Sequence, residues 1–529
     1  MSTGISLDGL WQFTFEDGSR TMLPVPGCFD ASEAYRCRRG KGCYSRSVEG
    51  SGRMELACGG IGLRAEIFWD GRKIHTELTA YTPFRVRFDA GGPGEHELKI
   101  VCDNTIEETP ESEFRRFYDF YGYGGIYREI TLRRLPETCF DYVRVLPDPD
   151  RGMIGLHVEL SGEPRPVKVS IDGEDSGLLP GSGDGEFAVP VPELWSPESP
   201  RLHRLSLDCG CDRYECRFGL RKIESRGGRI FLNGSPVKLF GVNRHDVFPD
   251  TGPAMTRERV RSDLLMIKLA GFNTIRGAHY PQSRIMLDLA DELGLMVWDE
   301  TLGWQNPLDS LTNPEFQRRQ CDGLTRMIKS SVNHPSIIFW GFLNETSSDH
   351  PEARECIGKL CRIARELDPS RLVTFASCTC TKDRCLDLVD VISFNTYPCW
   401  YSGANTFFEP ALVKERLDSL LAFVRNDPQL ADKPVIISEI GAAALIGDHS
   451  RRRWSEDYQT ELVECAVRHA AAAGAAGILL WQFCNTPVDD NVRIMTRPRG
   501  YNNKGLVDEF RNPKQAWRLF PSLIDDLKS

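Results

Sequence analysis

Two glutamates stand where long apolar runs stop. Phe339-Trp340-Gly341-Phe342-Leu343-Asn344-Glu345 and Val435-Ile436-Ile437-Ser438-Glu439 each read as a buried strand that ends in a carboxylate. A carboxylate is costly to bury, so one at the C-terminal end of a parallel strand points to the mouth of a site. Either glutamate alone could simply begin a solvated loop. Two on separate strands of one barrel, with Asn344 directly before Glu345, are the groups needed to hydrolyse a glycosidic bond. One carboxyl must stay protonated near neutral pH to donate to the leaving oxygen. The other must be ionised to attack the anomeric carbon.

The surrounding pattern supplies strands to hold them. From Gly227-Gly228 onward, candidate strands run from Val237 to Val242, Asn273 to Arg276, Leu295 to Asp299 and Ile337 to Asn344. The series continues with Leu372 to Ala376, Val391 to Asn395, Val435 to Glu439 and Ile478 to Gln482. Helical stretches lie between them, among them Arg257 to Ala270, Ser283 to Leu293 and Asp457 to Ala473. Eight strands with helical crossovers predict a (β/α)8 TIM barrel. A doubly wound open sheet should carry a glycine-rich phosphate loop after its first strand, and Gly241-Val242-Asn243-Arg244-His245 is no such loop.

Ahead of the barrel the style is different. Short β-like runs such as Ala65-Glu66-Ile67-Phe68-Trp69 and Leu98-Lys99-Ile100-Val101 alternate with turns, as in an all-β sandwich. Gly155 to Leu160 and Val167 to Ile171, closed by Asp172-Gly173, repeat this on the scale of a small immunoglobulin-like β-sandwich. The expected domains are therefore 1-140, 141-225 and the catalytic barrel at 226-529.

The strand ends, taken in order, are polar. They are Asn243-Arg244-His245-Asp246; Arg276 with His279 and Tyr280; Asp299-Glu300; Asn344-Glu345; Asn395 with Tyr397; Glu439; and Trp481-Gln482. Any one could cap a helix or satisfy a loop. Polar ends on seven of the eight strands, with aromatics among them, suit a sugar, which needs many hydroxyl partners and a flat apolar surface. Strands four and seven face each other across a barrel, consistent with the roughly 5–5.5 Å carboxyl separation of a retaining mechanism.

Composition narrows the class further. At 529 residues, two to four domains are expected. A net charge of -10 argues against nucleic acid or an anionic membrane as the main partner, and no apolar run approaches a membrane span. Met1 to Asp8 has neither the basic start nor the apolar stretch of a signal peptide. The 18 cysteines read as reduced core residues, and Cys378/Cys380 and Cys209/Cys211 are too closely spaced for paired CxxC zinc ligation. The expectation is a soluble cytoplasmic protein.

Asn344-Glu345 on strand four with Glu439 on strand seven resembles the glycoside hydrolase clan that contains family 2. Leu7-Asp8-Gly9-Leu10-Trp11-Gln12-Phe13, Gly124-Gly125-Ile126-Tyr127-Arg128, Leu194-Trp195-Ser196-Pro197, Gly241 to His245 and Arg276 to Pro281 resemble family 2 itself. The resemblance covers nearly the whole chain. It implies a sugar-binding-like jelly roll, an immunoglobulin-like sandwich and the barrel, in that order. It also implies Glu345 as general acid/base, Glu439 as nucleophile, and a homo-oligomer.

Gly500-Tyr501-Asn502-Asn503-Lys504-Gly505 resembles the Asn-x-Lys motif by which β-glucuronidases grip a substrate carboxylate. A lysine beside an amide suits an anionic C6 group, because charge-assisted hydrogen bonds are the stronger ones. The basic neighbours Arg497 and Arg499 favour the same reading. Asp119 in Phe117-Tyr118-Asp119-Phe120-Tyr121, His245, Asn395 and Tyr401 also match that family, so the jelly roll would recognise ring hydroxyls through Asp119. The candidate substrate-binding set is thus Asp119, His245, Arg276, His279, Asn344, Asn395, Tyr397, Tyr401, Trp481, Arg499, Asn502 and Lys504.

The departures bear on the substrate. The arginine register before Asn502 differs from that of well-known bacterial β-glucuronidases, and the segment after Glu300 is short, leaving room for galacturonides. The magnesium site of family 2 β-galactosidases needs a histidine where this chain has Leu302, so neither a catalytic metal nor a cofactor is expected. The leading expectation is an exo-acting, retaining β-uronidase that removes terminal glucuronic or galacturonic acid. A neutral-sugar β-galactosidase or β-mannosidase is the alternative within hydrolases. A non-catalytic carbohydrate-binding protein on a decayed barrel is opposed by the presence of both carboxylates.

Overall fold

A computed structural model describes residues 4–114, 119–401, 406–489 and 497–528. The apolar runs of the second half form one parallel barrel. Its strands are β1 Leu239–Arg244, β2 Thr274–Gly277, β3 Met296–Glu300, β4 Ile337–Gly341, β5 in two pieces (Leu372–Thr374 and Ala376–Ser377), β6 Ile392–Asn395, β7 Val435–Ile440 and β8 Gly477–Leu480. The sheet runs in sequence order through β1 to β4, β8 pairs with β1, and the two pieces of β5 pair with β4 and β6 on either side of Phe375. Apart from Leu372, every residue of these strands is buried. Helices cover the outer face while side chains fill the inside, which is why the runs are continuously apolar rather than alternating.

Two expectations about strand bounds are corrected. The first barrel strand begins at Leu239, not Val237, because Ser235–Val237 pairs with Arg229–Leu232 in a separate three-stranded sheet. The fourth ends at Gly341, three residues short of Asn344. Leu343 and Glu345 both take left-handed backbone conformations, each with φ of 52°, so the chain leaves the strand before it delivers Asn344 and Glu345.

Helices α1 Arg257–Leu269, α2 Arg284–Leu293, α3 Pro314–Ser331, α4 Ala353–Leu367, α5 Pro410–Asn426, α6 Glu456–Ala472 and α7 Gln515–Lys528 wrap the barrel. The caps explain several boundaries. Ser283 accepts from the Met286 N–H at the start of α2, Asn313 accepts from Glu315 and Phe316 at α3, and Ser455 accepts from Tyr458 at α6. Gly294 ends α2 in the left-handed region at φ 69°, where its missing Cβ removes the steric cost. Among the described residues no helix is long and apolar enough to cross a membrane.

The N-terminal residues build a jelly-roll-like sandwich of a six-stranded and a four-stranded antiparallel sheet around Trp11, Phe13, Tyr44, Ile67 and Trp69. Its strands alternate as a two-faced sheet requires; in Arg64–Trp69 every second residue is buried. Residues 139–218 form an immunoglobulin-like sandwich of three and four strands with its own core, including Val143, Val158, Val169 and Leu205. Buried or half-buried arginines clamp these sandwiches to the barrel. Arg128 donates to Pro281 O at 2.6 Å, Arg326 of α3 pairs with Glu77 at 2.8 Å, and Arg221 donates to the carbonyls of Pro335, Ile337 and Ser370. Tyr81 stacks on Tyr280 at 3.9 Å, which brings the jelly roll to the barrel mouth.

Candidate active site

Arg276, fully buried at the end of β2, organises the mouth. Its Nη1 donates to Glu439 Oε1 at 2.7 Å and to Asn243 Oδ1 at 3.0 Å. Its Nη2 donates to Asn344 Oδ1 at 2.7 Å, and Nη2 and Nε embrace Glu300 at 3.0 and 3.1 Å. Burial alone disfavours the cation, but Glu300 and Glu439 outweigh it and hold the guanidinium above its ordinary pKa. One cation thus faces two buried carboxylates.

Glu439 is 3% exposed at the end of β7. Tyr397 donates to its Oε2 at 2.6 Å, opposite the Arg276 contact on Oε1. Burial pushes the carboxyl up to about 8; Arg276 and the Tyr397 hydroxyl pull the other way, and the neighbouring Glu345 adds to the rise. Glu345 is more open. Asn395 donates to its Oε1 at 3.0 Å, and the same amide reaches Asn344 Oδ1 at 3.0 Å. Gln305 donates to Oε2 at 2.9 Å. The left-handed backbone of Glu345 costs free energy, as is common where a side chain must be aimed. Both glutamates therefore share one polar network, through Asn395, Asn344 and Arg276.

The expected sugar-contacting groups surround this pair. His279 stacks on Trp481 with ring centroids 4.9 Å apart, and His245 meets Trp481 edge-on at 5.6 Å. Burial, together with nearby positive charge, holds both histidines well below their usual range, so they are neutral imidazoles at neutral pH. Among the described residues, His245 Nε2 and Asn344 Nδ2 are buried polar atoms with no hydrogen-bond partner. Such atoms are costly unless something meets them, and a ring hydroxyl is of the right chemistry.

A second cluster comes from the last barrel loop and the jelly roll. Asn502 Nδ2 donates to Asp119 Oδ2 at 2.7 Å, and Arg497 closes on Asp119 from Nε and Nη2 at 2.7 and 2.8 Å. The buried Lys504 donates from Nζ to Tyr401 OH at 2.7 Å and lies 4.8 Å from the Tyr401 ring centroid and 5.6 Å from that of Tyr397. Tyr397 also touches Glu439, so this cluster borders the two glutamates.

Arg499 departs from its expected place. It is exposed and pairs with Glu509 at 2.6 Å and Asn503 at 2.9 Å, shaping the loop from outside. Arg499 has φ of 64°, a left-handed turn that separates the directions of two arginines only two positions apart. Arg497 takes the inward place. Two residues that contact or support the site carried no signal in the sequence. Gln305 had no signal beyond its place in the short segment after Glu300. Lys514, fully buried, donates to Ala444 O, Asn485 Oδ1 and Asn503 O at 2.8, 3.0 and 2.9 Å and pins the loop that carries Asn502 and Lys504. Burial lowers its pKa to about 7.

Among the described residues, one cluster, Asp288, Asp291 and His334, has metal-ligand spacing. Its groups are engaged internally: Asp291 with His334 at 2.6 Å and Asp288 with Arg217 at 2.9 Å.

A parallel barrel with two glutamates at its mouth in one network can carry out acid-assisted displacement at a sugar. Relatives agree with that chemistry. The model of the glycosyl hydrolases family 2 TIM barrel domain matches residues 223–517. A β-glucuronidase of Streptococcus agalactiae is 27% identical over 578 aligned residues, covering 97% of this chain and 95% of that protein. A family 2 β-galacturonidase from Eisenbergiella tayi, solved bound to galacturonate, superposes with a TM-score of 0.92 at 32% identity, covering 99% and 97%. A β-glucuronidase from Ruminococcus gnavus in complex with D-glucuronic acid shares the fold, with a TM-score of 0.89 at 24% identity and coverage of 99% and 97%. The chain is a glycoside hydrolase and belongs to glycoside hydrolase family 2.

Proposed function

We propose that this protein is an exo-acting, retaining β-uronidase that removes a terminal β-linked glucuronic or galacturonic acid. The observation that carries the uronide reading is Lys504, a buried lysine at the edge of the catalytic network, flanked by Asn502 and Arg497. At that place a C6 carboxylate would receive charge-assisted hydrogen bonds from the Lys504 ammonium and the Asn502 amide, an interaction a neutral sugar lacks. The relatives named for glucuronide and galacturonide cleavage support the same substrate class.

Roles follow from the contacts. Glu439 accepts from a guanidinium and a phenol, which offset part of the cost of burying its charge and leave it the carboxylate with cationic support, as a nucleophile needs. Glu345 is held by neutral amides and is reachable from solvent, which suits a group that gives up and recovers a proton. In the first step Glu439 attacks the anomeric carbon while Glu345 protonates the leaving oxygen. In the second, Glu345 takes a proton from water, which displaces Glu439 and releases the sugar with its β configuration. Asn344 Nδ2 and His245 Nε2 meet ring hydroxyls.

The separate cores of the two sandwiches and the barrel support a division into three domains at 1–140, 141–225 and 226–529. The free thiols of all 18 cysteines favour a reducing, cytoplasmic setting. Side-by-side assay of aryl β-glucuronide, β-galacturonide and β-galactoside tests the function. Turnover of at least one uronide well above the galactoside is expected; a preference for the galactoside, or no turnover of any of the three, contradicts it.

A further inference from the structure

Resting on the reading of Glu345 as the acid/base, we propose that Gln305 is its positioning residue: the side-chain amide holds the outer carboxyl oxygen in the direction of proton delivery. The two oxygens of Glu345 have different partners. Oε1 accepts from Asn395, which is 3% exposed and itself fixed by Ser438 Oγ at 2.8 Å and by Asn344 Oδ1 at 3.0 Å. That oxygen is tied to the barrel interior. Oε2, the other oxygen, accepts from Nε2 of the exposed Gln305 at 2.9 Å. The leaving group departs toward solvent, so the proton travels on the Gln305 side.

Glu345 lies beyond the end of β4 in a left-handed conformation, with its N–H donating to Ala376 O of β5 at 2.8 Å. A lacing of two loops adds to that hold. Asn344 N donates to Gly303 O, Gln305 N donates to Asn344 O, both at 2.8 Å, and Trp304 bridges Asn344. Beyond them, Thr346 Oγ1 donates to Asn306 O at 2.8 Å. The segment after β3 is thereby held in register with the segment after β4, and Gln305 arrives opposite Glu345.

Two features of Gln305 suit this role. Its φ is 48°, a conformation in which glycine is unstrained and a side chain carries a steric cost, so its side-chain contact must offset that cost. An amide also matches both protonation states of a carboxyl group. Its NH₂ donates to a lone pair of Oε2, which is present in the carboxylate and in the acid alike, and leaves the acid O–H free for the leaving oxygen. It accompanies Glu345 through both half-reactions without adding charge.

The test uses Gln305→Gly, which the positive φ tolerates, and Gln305→Met, which keeps bulk but removes the amide. kcat/KM is measured over a series of alkyl and aryl β-uronides of rising leaving-group pKa. Positioning predicts that both variants lose about tenfold or more on the poorest leaving groups and about twofold or less on nitrophenyl substrates. A merely structural residue would lower all substrates alike. Glu345→Gln is run beside them. If it shows the steep leaving-group dependence while both Gln305 variants show a uniform loss or none, the role of Gln305 is overturned and the acid/base stands. If Glu345→Gln shows no such dependence, the acid/base reading itself fails.

Discussion

Arg497 donates from Nε and Nη2 to both carboxylate oxygens of Asp119, at 2.7 and 2.8 Å, across 378 positions of sequence. The pair is almost fully buried and joins the jelly roll to the last barrel loop. Removing one partner leaves the other's charge desolvated. Asp119→Ala and Arg497→Ala should each cost about 3–5 kcal/mol, seen as a lowered Tm, and the double variant should lose much less than the sum. Additive losses would show that the two side chains do not act as a pair.

The catalytic pair predicts two different kinetic phenotypes. Glu439→Gln removes the nucleophile and should abolish turnover with the Tm retained. Glu345→Gln should slow glycosylation most for poor leaving groups, because these depend on proton donation. Near-normal hydrolysis by either variant contradicts the assignment.

The proposed double displacement predicts the stereochemistry. Proton NMR during early turnover should show the β-anomer of the free uronic acid first, formed through a covalent glycosyl-enzyme on Glu439. Early appearance of the α-anomer would mean direct attack by water.

Tyr397 is expected to shift the acidic limb of the pH profile through Glu439. Its hydroxyl donates 2.6 Å to Glu439, a contact that favours the ionised carboxyl and so lowers its pKa, while burial pushes the group up to about 8. Without that donor the pKa rises further. The nucleophile works only when ionised, so activity is present above this pKa and lost below it. Tyr397→Phe should therefore move the acidic limb of kcat/KM to higher pH by about one unit, the equivalent of one charge-assisted hydrogen bond. An unchanged limb, or a shift to lower pH, contradicts the role.

Much of the barrel was legible because buried parallel strands are written as unbroken apolar runs that stop in polar residues. The end of β4 was not. Phe342 and Leu343 are as buried as the strand itself, so hydropathy cannot tell them from it, and only the left-handed turn at Leu343 marks the exit. The choice between Arg497 and Arg499 was hidden for a related reason: a backbone turn at Arg499 sets which one faces Asp119, and no side-chain pattern encodes it. Glu345, Glu439 and the strand-end residues could be placed from their positions alone. Gln305 and Lys514 could not, since a loop glutamine and a lone lysine carry no signal until folding places each against its acceptors.

The substrate carboxylate grip is the centre of this account, and Lys504→Ala measures it most directly. The quantity is the ratio of kcat/KM for an aryl β-uronide to that for the matching neutral glycoside, in the wild-type and variant proteins. If Lys504 and Asn502 receive the C6 carboxylate, the variant leaves a desolvated anion unpaired, and uronide hydrolysis should fall by roughly 2–5 kcal/mol in kcat/KM. Neutral-sugar hydrolysis should change little or rise, so the ratio collapses. A ratio unchanged in Lys504→Ala contradicts the uronidase reading and favours a neutral-sugar hydrolase in its place.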